Sequence, residues 1–204
     1  MHFAAQRGDL ALIKFLLDRG ADIEARESHE CTPLIRALFG DEIEAALILM
    51  YKGADMFTVD ENGCGIIHWA AYRNNVDALR IFRLHGFDMN IQTVIKNRET
   101  PLHLAVRNEA VFAIEYLINA DVDLDIRDSE GCNAEEFARK RGYNDSLRVM
   151  KKFLAAKAPN PLHQNFSILF IAYYVLLYMI YYVYVLPWTA YHIFASLTFV
   201  TVVI

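Results

Sequence analysis

The sequence predicts an all-α protein: a solenoid of short helical repeats followed by a transmembrane helical hairpin. Three observations predict it. Thr32-Pro33-Leu34, Gly65-Ile66-Ile67-His68, Thr100-Pro101-Leu102-His103 and Asn133-Ala134-Glu135 recur at intervals of 33, 35 and 33 residues. A second marker keeps the same beat: Gly20-Ala21-Asp22, Gly53-Ala54-Asp55, Gly86-Phe87-Asp88 and Asp121-Val122-Asp123. All 20 basic and 25 acidic residues precede position 158, and residues 158–204 carry none.

Each repeat is expected to be a turn, a short inner helix, a tight loop and a longer outer helix. Inner helices should begin near Met1, Thr32, Gly65, Thr100 and Asn133. A threonine hydroxyl caps free backbone N–H groups, and proline suits the first helical turn. Gly20, Gly53 and Gly86 should end outer helices in the left-handed conformation. Asp121 takes that place in the fourth unit, as a residue that visits this region more readily than most. Apolar residues at helical spacing mark the buried faces: residues 10–17, then Ile43, Ala46, Leu47 and Met50, then Val111, Ile114, Leu117 and Ile118. The two extra residues of the 35-residue interval fall in the finger between Met89 and Glu99, which should project further than its neighbours.

At the front, His2-Phe3-Ala4-Ala5 aligns with His68-Trp69-Ala70-Ala71, so the first unit starts inside its own box. Phe3, Ala4 and Ala5 do not form the polar outer face of a capping repeat, and the array is expected to continue upstream. Residues 131–157 lose the box but keep the helical pattern through Leu147, Val149, Met150, Phe153 and Leu154, as a C-terminal cap. Pro159 and Pro161 then stop the helix. The domains expected are an array over 1–157, a linker over 158–165, and membrane helices over 166–186 and 188–204.

Residues 166–186 are uncharged and long enough to cross about 30 Å of hydrocarbon. Pro187-Trp188 interrupts the run, so two crossings joined by a turn are favoured over one long helix. The second is shorter than the usual ~20 residues, and the chain is expected to continue beyond residue 204. Lys151, Lys152 and Lys157 precede the first crossing and put the array on the cytosolic side. His192 reads as a neutral imidazole near an interface, with a buried functional site as the competing reading.

Composition excludes several functions. No basic patch with interleaved aromatics points to nucleic acid. No Ser/His/Asp elbow, phosphate loop or HExxH motif occurs, so no catalytic residue is assigned. Cys31, Cys64 and Cys132 each stand one residue before the Thr position of a repeat. Adjacent units stack about 10 Å apart, too far for the ~5–6 Å Cα separation of a disulfide. Without clustered ligands no metal is assigned either.

A beat of about 33 residues carrying a Thr-Pro-Leu-His box resembles the ankyrin repeat, and the fold expected is an ankyrin-repeat solenoid followed by the hairpin. The resemblance implies that His68 and His103, with His2 in register, tie adjacent repeats together by hydrogen bonds. Trp69 stands early on an inner helix, where such arrays present their concave face. With Tyr72 and Arg73 it forms the candidate partner-binding set, since a large aromatic beside arginine is suited to anchoring a peptide. Ordinary inter-repeat packing by Trp69 is the competing reading.

The run Trp69-Ala70-Ala71-Tyr72-Arg73, the box from Thr100 to Val106 and the degenerate unit at 134–141 together resemble the ankyrin-repeat DHHC protein S-acyltransferases. That resemblance implies substrate recruitment by the array and a Golgi or other endomembrane location. It implies a later catalytic domain using zinc and acyl-CoA, neither of which has ligands in this chain. A pocket asparagine of that family has no counterpart between Thr32 and Gly53, and the Asp-His-His-Cys motif is absent. Two alternatives stand beside it: an ankyrin-bearing channel, and a non-catalytic scaffold held at a lipid bilayer.

Overall fold

The computed structural model describes residues 1–157, and the linker and both expected membrane helices lie outside the described residues. Residues Met1–Ala156 form one compact unit. Its ten α-helices alternate inner and outer: α1 (His2–Gln6), α2 (Leu10–Asp18), α3 (Pro33–Phe39), α4 (Ile43–Tyr51), α5 (Ile66–Tyr72), α6 (Val76–Leu84), α7 (Pro101–Arg107), α8 (Val111–Asn119), α9 (Ala134–Arg141) and α10 (Asn144–Lys157). Among the described residues there is no strand, and no helix is long and apolar enough to cross a membrane.

The inner helices start where the boxes place them. Thr32 and Thr100 accept from the N–H groups of Ile35 and His103, each with proline in the first turn. Gly65 has no side chain to cap with, and His68 Nδ1 accepts its N–H instead. Gly20, Gly53 and Gly86 take φ of 79°, 93° and 82°, and Asp121 follows at 58°. The helix C-termini are therefore closed as the sequence indicates.

The inner helices stack α1 on α3, α3 on α5, α5 on α7 and α7 on α9. Alanines make this possible: Ala5, Ala37, Ala70, Ala71, Ala105 and Ala138 are fully buried. In α4 the buried face is Ala45, Ala46 and Leu49, while Leu47 is exposed. The expected face was thus rotated, because α4 is apolar nearly all round and periodicity alone cannot fix its contact stripe. In α2 only Ile13 is fully buried. Phe3, Leu12 and Phe15 of the first unit are exposed, whereas Ala4 and Ala5 are core.

The box histidines join repeats as expected. His2 Nε2 donates to the carbonyls of Ala25 and Cys31, His68 Nε2 to Ile91 at 3.2 Å, and His103 Nε2 to Cys132 at 3.1 Å. Burial holds the His68 imidazole down to about 4, and lowers that of His103 in the same way.

Each finger closes with one backbone bond, Glu27 N–H to Cys31, Asp60 to Cys64, Thr93 to Glu99 and Asp128 to Cys132. The third spans two extra residues, which places the insertion between Thr93 and Glu99. That finger does not stand free. Its tip is laddered to both neighbours, Lys96 N–H donating to the Asn62 carbonyl and Ser129 N–H to the Asn97 carbonyl. Val94 and Ile95 press their backbone against Gly63, where a Cβ would lie 2.6 Å from the Ile95 nitrogen.

Candidate functional site

Aligning the repeats on Thr32, Gly65, Thr100 and Asn133 places Arg36, Trp69, Leu104 and Phe137 in one register. Phe39, Tyr72, Arg107 and Lys140 share the next helical turn. These positions face the fingers. Three of their side chains each satisfy an acid at the base of their own finger. Arg36 pairs with Glu27, the Trp69 indole Nε1–H donates to Asp60 Oδ2 at 3.1 Å, and Arg107 pairs with Glu99. Asp60 is only 2% exposed, and its other oxygen accepts the N–H groups of Asn62 and Cys64. A buried carboxylate held by three donors is stable, and the indole is one of the three.

The indole N–H of Trp69 is thus part of the fold. The half-buried ring of Trp69 lies between Phe39 and Tyr72. The ring centroids are 5.1 and 5.6 Å away, both edge-on. Two cavities open on either side of it. One, about 420 Å³, is walled by Ile35, Arg36, Phe39, Asp60 and Glu61. The other, about 240 Å³, is walled by Tyr72, Lys96, Glu99, Leu104 and Arg107. Trp69 and Asn62 border both.

The structure brings Trp69 and Tyr72 together as the sequence indicates. Arg73 is exposed and lies over the ring of Phe39, 5.6 Å from its centroid, in the preceding repeat. Phe39 is the member that sequence reasoning missed. The signal was available, because Phe39 occupies the register of Tyr72 one unit earlier. Burial raises the Glu99 carboxyl, with Arg107 pulling against it. The pair is consequently an uneasy one at the base of its finger, unlike the exposed ion pairs of α9.

No group of His, Cys, Asp and Glu among the described residues is arranged to hold a metal. The three cysteines are free. Burial pushes the Cys64 thiol up to about 12 and raises that of Cys31, with nearby acids adding to the effect. Since the thiolate is the nucleophile, Cys31 and Cys64 should resist alkylation in the folded chain at pH 8. The purified chain should form no stable thioester with palmitoyl-CoA. Stoichiometric, hydroxylamine-sensitive labelling of Cys64 would contradict this.

A family model for ankyrin repeats in three copies matches residues 1–60 and 67–165, and a second ankyrin model matches residues 40–83. The chain is 29% identical over 174 residues to the nuclear factor NF-kappa-B p105 subunit of Gallus gallus, covering 83% of this chain and 17% of that one. It is 32% identical over 109 residues to a transient receptor potential cation channel subfamily A member 1 homolog of Caenorhabditis elegans, covering 53% of this chain and 9% of the relative. It is 24% identical over 151 residues to the palmitoyltransferase AKR1 of Lachancea kluyveri, covering 72% and 20%. The chain thus spans a fifth or less of the length of each.

Proposed function

This chain belongs to the ankyrin-repeat proteins, and we propose that its array holds extended segments of partner proteins in the groove around Trp69, next to a membrane. The array is a protein-interaction domain; the site and the setting are the proposal. The observation that carries it is the aromatic wall of Phe39, Trp69 and Tyr72 with a cavity on each side. Rigid aromatics in cavities supply most of the affinity in peptide recognition. The charge-free residues 158–204 supply the membrane anchor in this reading, with the array on the cytosolic side of the Golgi or another endomembrane.

The finer reading is the substrate-recruitment region of a protein-cysteine S-palmitoyltransferase. It is supported by the runs at 69–73 and 134–141 and by the likeness to a palmitoyltransferase. Acyl-CoA and zinc would then be handled by a domain outside this chain. The array would raise the local concentration of substrate beside that domain. The ankyrin arm of a membrane channel is the second reading, favoured by the 32% identity to a cation channel homolog over a shorter stretch.

The natural full-length protein, expressed in cells fed alkyne-palmitate, separates the two. A hydroxylamine-sensitive acyl group on the protein is expected, and Tyr72→Ala should lower acylation of captured partners about tenfold while leaving self-acylation unchanged. The hydroxyl of Tyr72 makes no hydrogen bond among the described residues, so the truncation acts mainly on the wall. Absence of any acyl group on the protein would overturn the transferase reading.

A further inference from the structure

Resting on the groove reading above, we infer that the segment held there is acidic, with carboxylates met by Arg73 on the helical wall and Lys96 on the finger wall. Most basic side chains near the concave face are already committed. Arg36 is paired with Glu27, Arg107 with Glu99, and Lys140 and Arg141 with Glu130. The acids there are committed as well: Asp60 is buried under Trp69, and Glu61 lies 2.9 Å from His29 Nδ1. Among the described residues neither Arg73 nor Lys96 has a carboxylate partner. Lys96 Nζ donates only to the neutral amide of Asn62, at 3.0 Å, and Arg73 rests on Phe39 with its N–H groups directed to no acceptor.

The exception runs against the chain's overall charge. With a net charge of −5, acids outnumber bases, yet these two exposed cations beside the aromatic wall are left without counter-ions. A stacked guanidinium keeps its in-plane donors free for a carboxylate, the geometry in which arginine binds best. The spacing follows from the repeat. Units stack about 10 Å apart and an extended chain rises about 3.3 Å per residue, so one repeat spans about three partner residues. Arg73 lies over the second unit and Lys96 reaches the finger of the third. The partner's carboxylates should therefore be separated by about three to six residues, with an apolar or aromatic residue between them over Trp69.

The test uses fluorescein-labelled twelve-residue peptides with a central Phe and Glu three residues to each side, and matched peptides carrying Gln or Lys in place of Glu. Anisotropy with the purified chain at low salt should rank Glu over Gln by about fivefold and Gln over Lys. The ratio should collapse near 1 M salt, where the Debye length is about 3 Å. Arg73→Gln with Lys96→Gln should erase the Glu preference, so that the Glu and Gln peptides bind this variant equally. Equal binding of Glu and Gln peptides, both weakened by Tyr72→Ala, would overturn this inference and leave the groove reading standing. Binding of the Glu peptide that Tyr72→Ala does not weaken would overturn both.

Discussion

Trp69→Ala is expected to cost about 3 kcal/mol of stability and, at the same time, at least about thirtyfold in peptide affinity. The first figure is the low end for a large aromatic truncation, chosen because the ring is half-buried rather than fully enclosed. It includes the loss of the indole donor to Asp60 Oδ2, which leaves a carboxylate at 2% exposure with two donors instead of three. The second figure is that of an anchor residue worth about 2 kcal/mol in binding. Trp69→Phe separates the two roles. It keeps an aromatic between Phe39 and Tyr72 but removes the N–H, and should cost about 1–2 kcal/mol of stability with only a small change in affinity. Denaturant midpoints and anisotropy on both variants check this. An unchanged midpoint for Trp69→Ala would contradict the structural role given to the indole.

Acidification is expected to loosen the array well before its carboxylates are neutralised. His68 is held neutral in the fold at about 4, against about 6.5 in an unfolded chain. The sign follows from proton uptake. Between pH 6.5 and 4 the unfolded state takes up a proton that the folded state refuses, so stability present above pH 6.5 is lost as the pH falls. At 1.36 kcal/mol per pH unit the loss approaches about 3 kcal/mol by pH 4. His103, also lowered by burial, acts in the same direction. Glu99 acts oppositely: its raised carboxyl disfavours folding at neutral pH and is relieved as it protonates. Urea midpoints at pH 7 and pH 4.5 should therefore fall sharply for the natural chain. They should fall less for His68→Gln, which cannot titrate but can still donate to the Ile91 carbonyl. An equal fall in both would remove His68 as the cause.

The array was largely legible because ankyrin-like units repeat the same local solutions. Thr32 and Thr100 cap helices, Gly20, Gly53 and Gly86 turn left-handed, and even the substitution by Asp121 keeps the positive φ. The histidine ties were legible for the same reason, since each links its own box to the next finger. What stayed hidden was the pairing of inner-helix donors with finger acids. Arg36–Glu27 and Trp69–Asp60 both span nine residues, but in the third finger the acid moves to the position held elsewhere by cysteine, and its donor moves one turn to Arg107. A pattern that changes partner between units cannot be read from one register. The sequence singles out Arg73, but its resting place over Phe39 depends on how α3 and α5 stack. Side-chain reach across that interface is a tertiary fact.

The central claim is that the partner lies in the concave groove around Trp69, and amide and indole chemical shifts of the labelled chain, titrated with the Glu-containing peptide, test it most directly. The account predicts that perturbations centre on Phe39, the Trp69 indole N–H, Tyr72, Arg73 and Lys96. The outer helices α4, α6 and α8 should stay silent. Perturbations centred instead on Asn74, Arg80, Phe112 and Tyr116, which line the broad cavity among the outer helices, would contradict it.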